Sequence, residues 1–143
     1  MSTYNINIFI SHSWSYSSAY NTLASWIFEQ NWRFGQASIK FRNYSVPKDD
    51  PIHNADNTEQ LERAIYRKIA LSHVMVVPTG MYASYSKWIK KEIDGANDKG
   101  KPILAVNPWG QQHTSQTVTN NADVIVGWNK KSVVDNIWQL YRS

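Results

Sequence analysis

Apolar residues along this chain switch repeatedly between a spacing of two and a spacing of three to four, and the switches mark the elements. Residues 5–11, Asn-Ile-Asn-Ile-Phe-Ile-Ser, form a short β-rich run closing in small polar residues, which predicts a first strand opening into a loop. Over residues 17–30, Tyr20, Leu23, Ala24, Ile27 and Phe28 recur at helical spacing, with Ser17 or Ser18 as the N-cap. Residues 37–41 read as a weaker second strand. A polar segment follows over residues 42–57, interrupted by Pro47 and Pro51 and carrying Asp49, Asp50, His53 and Asp56. An unstructured stretch of that length is commonly functional or mobile. The next helix opens at about residue 58, where Asn57 or Thr58 caps it and Leu61, Ile65 and Ile69 share a face.

Residues 73–78, His-Val-Met-Val-Val-Pro, are apolar on both faces and β-branched, as in a central parallel strand covered by helices on each side. Trp88, Ile89, Ile93 and Ala96 then give a helix over residues 84–99, stopped by Gly100 and Pro102. Residues 101–106 read as another buried strand, 110–121 as a loop and 123–127 as a short strand. The final helix starts near residue 132, with Val134, Ile137, Trp138 and Tyr141 on one face. Strict strand–helix alternation predicts an α/β fold: a flavodoxin-like, doubly wound three-layer sandwich with a five-stranded parallel sheet, in one domain over residues 1–143. Ligands of such sheets bind beyond the carboxyl ends of the strands. The segments expected there are residues 11–15, 44–56, 79–86 and the loop from residue 107.

Composition narrows the picture. Of 143 residues, 42% are hydrophobic and 18% charged, which is globular rather than disordered. No run approaches the roughly 18 apolar residues of a membrane span, and the N-terminus shows no basic segment followed by an apolar one, so neither membrane nor secretion is expected. Cysteine is absent, which removes disulfides, thiolate metal sites and cysteine nucleophiles and fits a reducing cytoplasm. The net charge of +4 is carried by scattered pairs, Lys90-Lys91, Lys99/Lys101 and Lys130-Lys131, without a basic face interleaved with aromatics. A nucleic-acid partner is therefore not expected. Seven tryptophans and eight tyrosines suit a core or an interface.

Several chemistries lack their signatures. There is no Gly-rich phosphate loop, no His-Glu-x-x-His and no Gly-x-Ser-x-Gly elbow. His12, His53, His73 and His113 have no metal-ligand spacing, so no metal is expected. Asp49-Asp50 could hold a metal or accept a phosphoryl group, but turn chemistry explains it as well. Glu92 falls in the second or third turn of the helix after the central strand, at i+4 from Trp88, and borders the stripe of Ile89, Ile93 and Ala96. Spacing alone leaves two readings: a carboxylate near the pocket mouth, or a surface carboxylate paired with Lys or Arg.

Together the segments resemble the TIR domain superfamily and, within it, the TIR-like family of the Thoeris antiphage protein ThsB. The resemblance rests on Ile8-Phe9-Ile10-Ser11-His12 as first strand, on the polar loop Tyr44-Ser-Val-Pro-Lys-Asp-Asp-Pro51, and on His73-Val-Met-Val-Val-Pro-Thr79. It rests further on Ser86-Lys-Trp-Ile-Lys-Lys-Glu-Ile93 as the helix with the functional glutamate and on Lys101-Pro-Ile-Leu-Ala-Val106. It implies an enzyme that cleaves the nicotinamide–ribose bond of NAD⁺, with Glu92 as catalytic residue. NAD⁺ is then a substrate, with no separate cofactor, and the product is an ADP-ribose-type signalling nucleotide, expected to be cyclic rather than linear or conjugated, that diffuses to a separate effector. The substrate-binding set is Ser11, His12, Trp14, Tyr85 and Trp88, the last chiefly as a packing support for Glu92. The resemblance also implies self-association into TIR assemblies. A non-catalytic TIR-like adaptor is the rival reading, since fold does not decide activity. A flavodoxin-like nucleotide or flavin binder is a third, weakened by the missing phosphate loop.

Overall fold

A computed structural model describes residues 2–11, 18–45, 58–79, 86–107 and 116–143. Strands β1 (Ser2–Ile10), β3 (Ala37–Asn43), β4 (Val74–Pro78), β5 (Ile103–Asn107) and β6 (Val124–Gly127) are parallel, and the short β2 (Trp32–Phe34) pairs antiparallel with β3. The sheet order is β2-β3-β1-β4-β5-β6. The five parallel strands thus follow the flavodoxin-like order, in which the winding reverses between β1 and β4. Helices α1 (Ser18–Phe28), α2 (Thr58–Leu71), α3 (Ser86–Asp98), α4 (Gln116–Asn121) and α5 (Lys130–Arg142) cover the sheet.

Strand alternation sorts the core into two layers. Ile6, Ile8 and Ile10 of β1, Val74 and Val76 of β4, and Leu104 and Val106 of β5 face α1 and α5, where they meet Leu23, Ile27, Val133, Val134 and Ile137. Phe9, Met75, Val77, Ile103 and Ala105 face the other way and meet Ile65 and Ile69 of α2, Ile89, Ile93 and Ala96 of α3, and Val118 of α4. Burial on both faces is why the central strands read as unbroken apolar runs.

Three devices set α3. Its apolar stripe lies on the sheet. Gly95 lets α2 approach: an added Cβ would stand 2.8 Å from the Tyr66 ring. Lys91 Nζ donates to Glu62 Oε2 at 2.6 Å across the same seam. The phenol of Tyr66 is held above its ordinary pKa, first by burial and then by the neighbouring Glu62. The helix ends in a left-handed Gly100 at φ 67°, with the Lys101 amide donating to the Ala96 carbonyl at 2.8 Å.

Two elements go beyond the sequence pattern. Residues 32–34 add a sixth strand to the expected five by folding back on β3 through Gly35, at φ 59°. The loop expected over residues 110–121 contains α4, whose one buried apolar anchor is Val118. Arg42 and Asn43, read as the start of the polar segment, complete β3. Asp49-Asp50 lies outside the described residues.

Candidate active site

The carboxyl ends of the central strands carry a row of small polar side chains. In β1 the series facing α3 continues from Phe9 to Ser11, whose amide donates to the Val76 carbonyl at 3.0 Å. Ser11 therefore sits at the gap between β1 and β4 where the winding reverses, and it is fully buried. The same period of two runs from Met75 and Val77 of β4 to Thr79 just beyond it, and from Ile103 and Ala105 to Asn107 in β5. Three neighbouring strands thus end in a hydroxyl, a hydroxyl and an amide on the face covered by α3.

Glu92 reaches this row from above. It lies in the second turn of α3, between Ile89 and Ile93, and only 1% of it is exposed. The Ser11 hydroxyl donates to Glu92 Oε1 at 2.5 Å, within the range of a hydroxyl on a carboxylate. That burial rules out the solvated, surface-paired carboxylate that spacing alone had left open. Transferring a carboxylate out of water is costly unless it is hydrogen-bonded, so Ser11 both lowers that cost and sets the direction of the carboxyl group. Next to this pair, the fully buried Thr79 donates its hydroxyl to Asn107 Oδ1 at 2.5 Å. On the other side, Ser45 Oγ accepts from the Ile10 amide at 2.8 Å, tying the chain after β3 to the end of β1.

Of the residues proposed from sequence, the fold brings together Glu92 and Ser11. His12, Trp14 and Tyr85 lie outside the described residues. Trp88 sits on α3 one turn before Glu92, and its side chain is likewise outside them. Ser45, Thr79 and Asn107 were not singled out as residues, although their segments were placed at this end. Extending each strand's alternation by one step beyond its last apolar residue would have found Thr79 and Asn107 beside Ser11. No group of three His, Asp or Glu side chains among the described residues could hold a metal ion. None of their helices is long and apolar enough to cross a membrane.

A flavodoxin-like strand order with a buried glutamate on the helix after the central strand is compatible with a TIR-like α/β domain. The chain belongs to the family described as Thoeris protein ThsB, TIR-like domain, whose profile matches residues 9–113 and so takes in Ser11, Thr79, Glu92 and Asn107. This is a TIR family of antiphage defence. No curated protein matches the chain. Among solved structures, translation elongation factor SelB from Methanococcus maripaludis is similar in complex with the GTP analogue GppNHp, with a TM-score of 0.52 and 12% identity over 98% of this chain and 33% of that one. Its apo form gives 0.51 and 12%, over 98% and 34%. The chain spans about a third of SelB's length, and at this identity the likeness is one of fold.

Proposed function

We propose that this protein cleaves the nicotinamide–ribose bond of NAD⁺ and produces an ADP-ribose-type signalling nucleotide for a separate effector of antiphage defence, with Glu92 as the catalytic residue. The observation that carries the reading is the buried Glu92 carboxylate, held by the Ser11 hydroxyl at the reversal point of the sheet. Family membership adds to it, because TIR-like domains are often NAD⁺-cleaving enzymes.

The chemistry asks little of the protein beyond one fixed negative charge. The nicotinamide ring of NAD⁺ is cationic, so the C1′–N bond can break with its electron pair going to the ring nitrogen and no general acid. Positive charge then develops on the ribose as an oxocarbenium ion, as in glycoside hydrolysis. A carboxylate already oriented and shielded from water stabilises that charge without reorganising. Water adding at C1′, with loss of a proton, gives ADP-ribose. A hydroxyl or adenine nitrogen of the same molecule gives a cyclic isomer. Ser11 acts on the carboxylate, and His12, Trp14, Tyr85 and Trp88 remain proposed for the substrate side.

The test is nicotinamide release, followed by chromatography, from NAD⁺ incubated with the assembled protein in cells exposed to phage and in their lysates. Release by wild type and its loss in Glu92→Ala are expected, with mass spectrometry naming the product. Equal release by Glu92→Ala sinks the assignment, and no release by the triggered wild type favours a non-catalytic adaptor.

A further inference from the structure

The Thr79–Asn107 pair has no part in holding Glu92, yet it is built like a binding group. Register sets Thr79 beside Asn107: Pro78 stands opposite Val106, and the Thr79 amide donates to the Val106 carbonyl at 2.9 Å. Alternation places both side chains on the α3 side of the sheet with Ser11. Thr79 is wholly buried and Asn107 only partly. The Thr79 hydroxyl occupies Asn107 Oδ1 at 2.5 Å, so the amide is fixed about its last bond and keeps two N–H donors. Held this way, the amide presents its nitrogen, whose two N–H groups suit an oxygen acceptor. Asn107 stands two strands from Ser11, roughly 10 Å at the usual strand spacing, a separation that a dinucleotide spans.

We propose that Asn107 is a substrate-binding residue of this site, donating from Nδ2 to an oxygen acceptor of the dinucleotide, and that Thr79 is the positioning residue that turns it. The acceptor is the nicotinamide carboxamide oxygen or a phosphate oxygen. The inference rests on the reading of the site as an NAD⁺ site.

The test measures binding rather than turnover. NAD⁺ is titrated calorimetrically into the Glu92→Gln protein and into the same protein carrying Asn107→Ala, Asn107→Asp, Thr79→Val or Thr79→Ser. Asn107→Asp keeps an oxygen for the Thr79 hydroxyl but has no donors, so it separates binding from packing. Both Asn107 variants should weaken binding about tenfold, as loss of one hydrogen bond predicts. Thr79→Val should weaken it less and Thr79→Ser restore it. Binding within twofold of the parent in both Asn107 variants overturns the proposal, and so does weakening by Ala without weakening by Asp. The thionicotinamide analogue of NAD⁺ separates the two acceptors. With a carboxamide contact, Asn107→Ala no longer distinguishes it from NAD⁺. With a phosphate contact, the distinction persists and Asn107→Asp binds more weakly than Asn107→Ala. If the Glu92→Gln protein takes up no NAD⁺, the proposal falls. If binding shows the Asn107 dependence while triggered wild type releases no nicotinamide, Asn107 stands and the cleavage reading falls.

Discussion

The two ends of this sheet are made of different side chains. At the amino end, Trp138 of α5 is 7% exposed and lies among rings: Phe34 is stacked at 5.5 Å between centroids, Tyr141 at 6.1 Å, and Tyr4 meets it edge-on at 5.2 Å. The Arg142 guanidinium covers it at 5.4 Å, and a hollow of about 510 Å³ opens beside it. At the carboxyl end the chain buries Ser11, Ser45, Thr79 and Glu92, whereas Ser72 is the one polar side chain so buried at the amino end among the described residues. Aromatic burial stabilises by area and ring contact. A buried hydrogen bond stabilises by only about 1 kcal/mol net of the hydration it replaces. The aromatic end therefore carries more of the stability per side chain than the polar end.

Substitutions should divide along the same line. Glu92→Gln is the largest expected effect: nicotinamide release falls on the order of a thousandfold, about 4 kcal/mol of transition-state stabilisation. Melting should shift little, because Ser11 can still donate to the amide oxygen. Trp138→Ala should cost about 3–5 kcal/mol in denaturant unfolding while release per folded molecule is retained. A selective loss of activity there would erase the distinction between the ends. Ser11→Ala leaves the carboxylate without its hydroxyl, and kcat should fall about tenfold with KM changed less. A change in KM alone would make Ser11 a substrate contact instead.

The smallest effect concerns His73 at the amino end. Its Nδ1 accepts from the Asn7 amide at 2.9 Å, and its ring meets Tyr141 edge-on at 5.2 Å. Burial, then the positive Lys101, holds its pKa below 6.5. The folded state thus favours neutral imidazole, and the unfolded chain binds a proton first as pH falls. The stability involved is full above about pH 6.5 and is lost on acidification through the window below it. His73→Asn keeps an acceptor near Nδ1 and does not titrate, so its melting temperature should fall less between pH 7 and pH 5 than that of wild type. Equal slopes would remove His73 from the account.

Much of this was legible in local spacing. The strand–helix order, the central strands and the helix bearing Glu92 follow from periods of two and of 3.6, because residues buried on both faces of a strand write unbroken apolar runs. The edge strand over residues 32–34 was not legible, since three residues carry no period and their strand character comes from pairing with residues 37–39. Thr79 and Asn107 were hidden differently. Each ends an apolar strand and looks like the first residue of a loop.

By itself, then, the sequence determined the order of the five parallel strands and four of the helices, and, through that order, the end of the sheet at which ligands of such folds bind. It also placed Glu92 at the border of an apolar stripe, where helical spacing permits either burial or solvation. Only the tertiary structure decided between them, by bringing up Ser11 from 81 residues away. A local period sets a side chain's angle about its own helix. Whether that direction meets water or a buried hydroxyl depends on a strand brought alongside by the winding of the sheet.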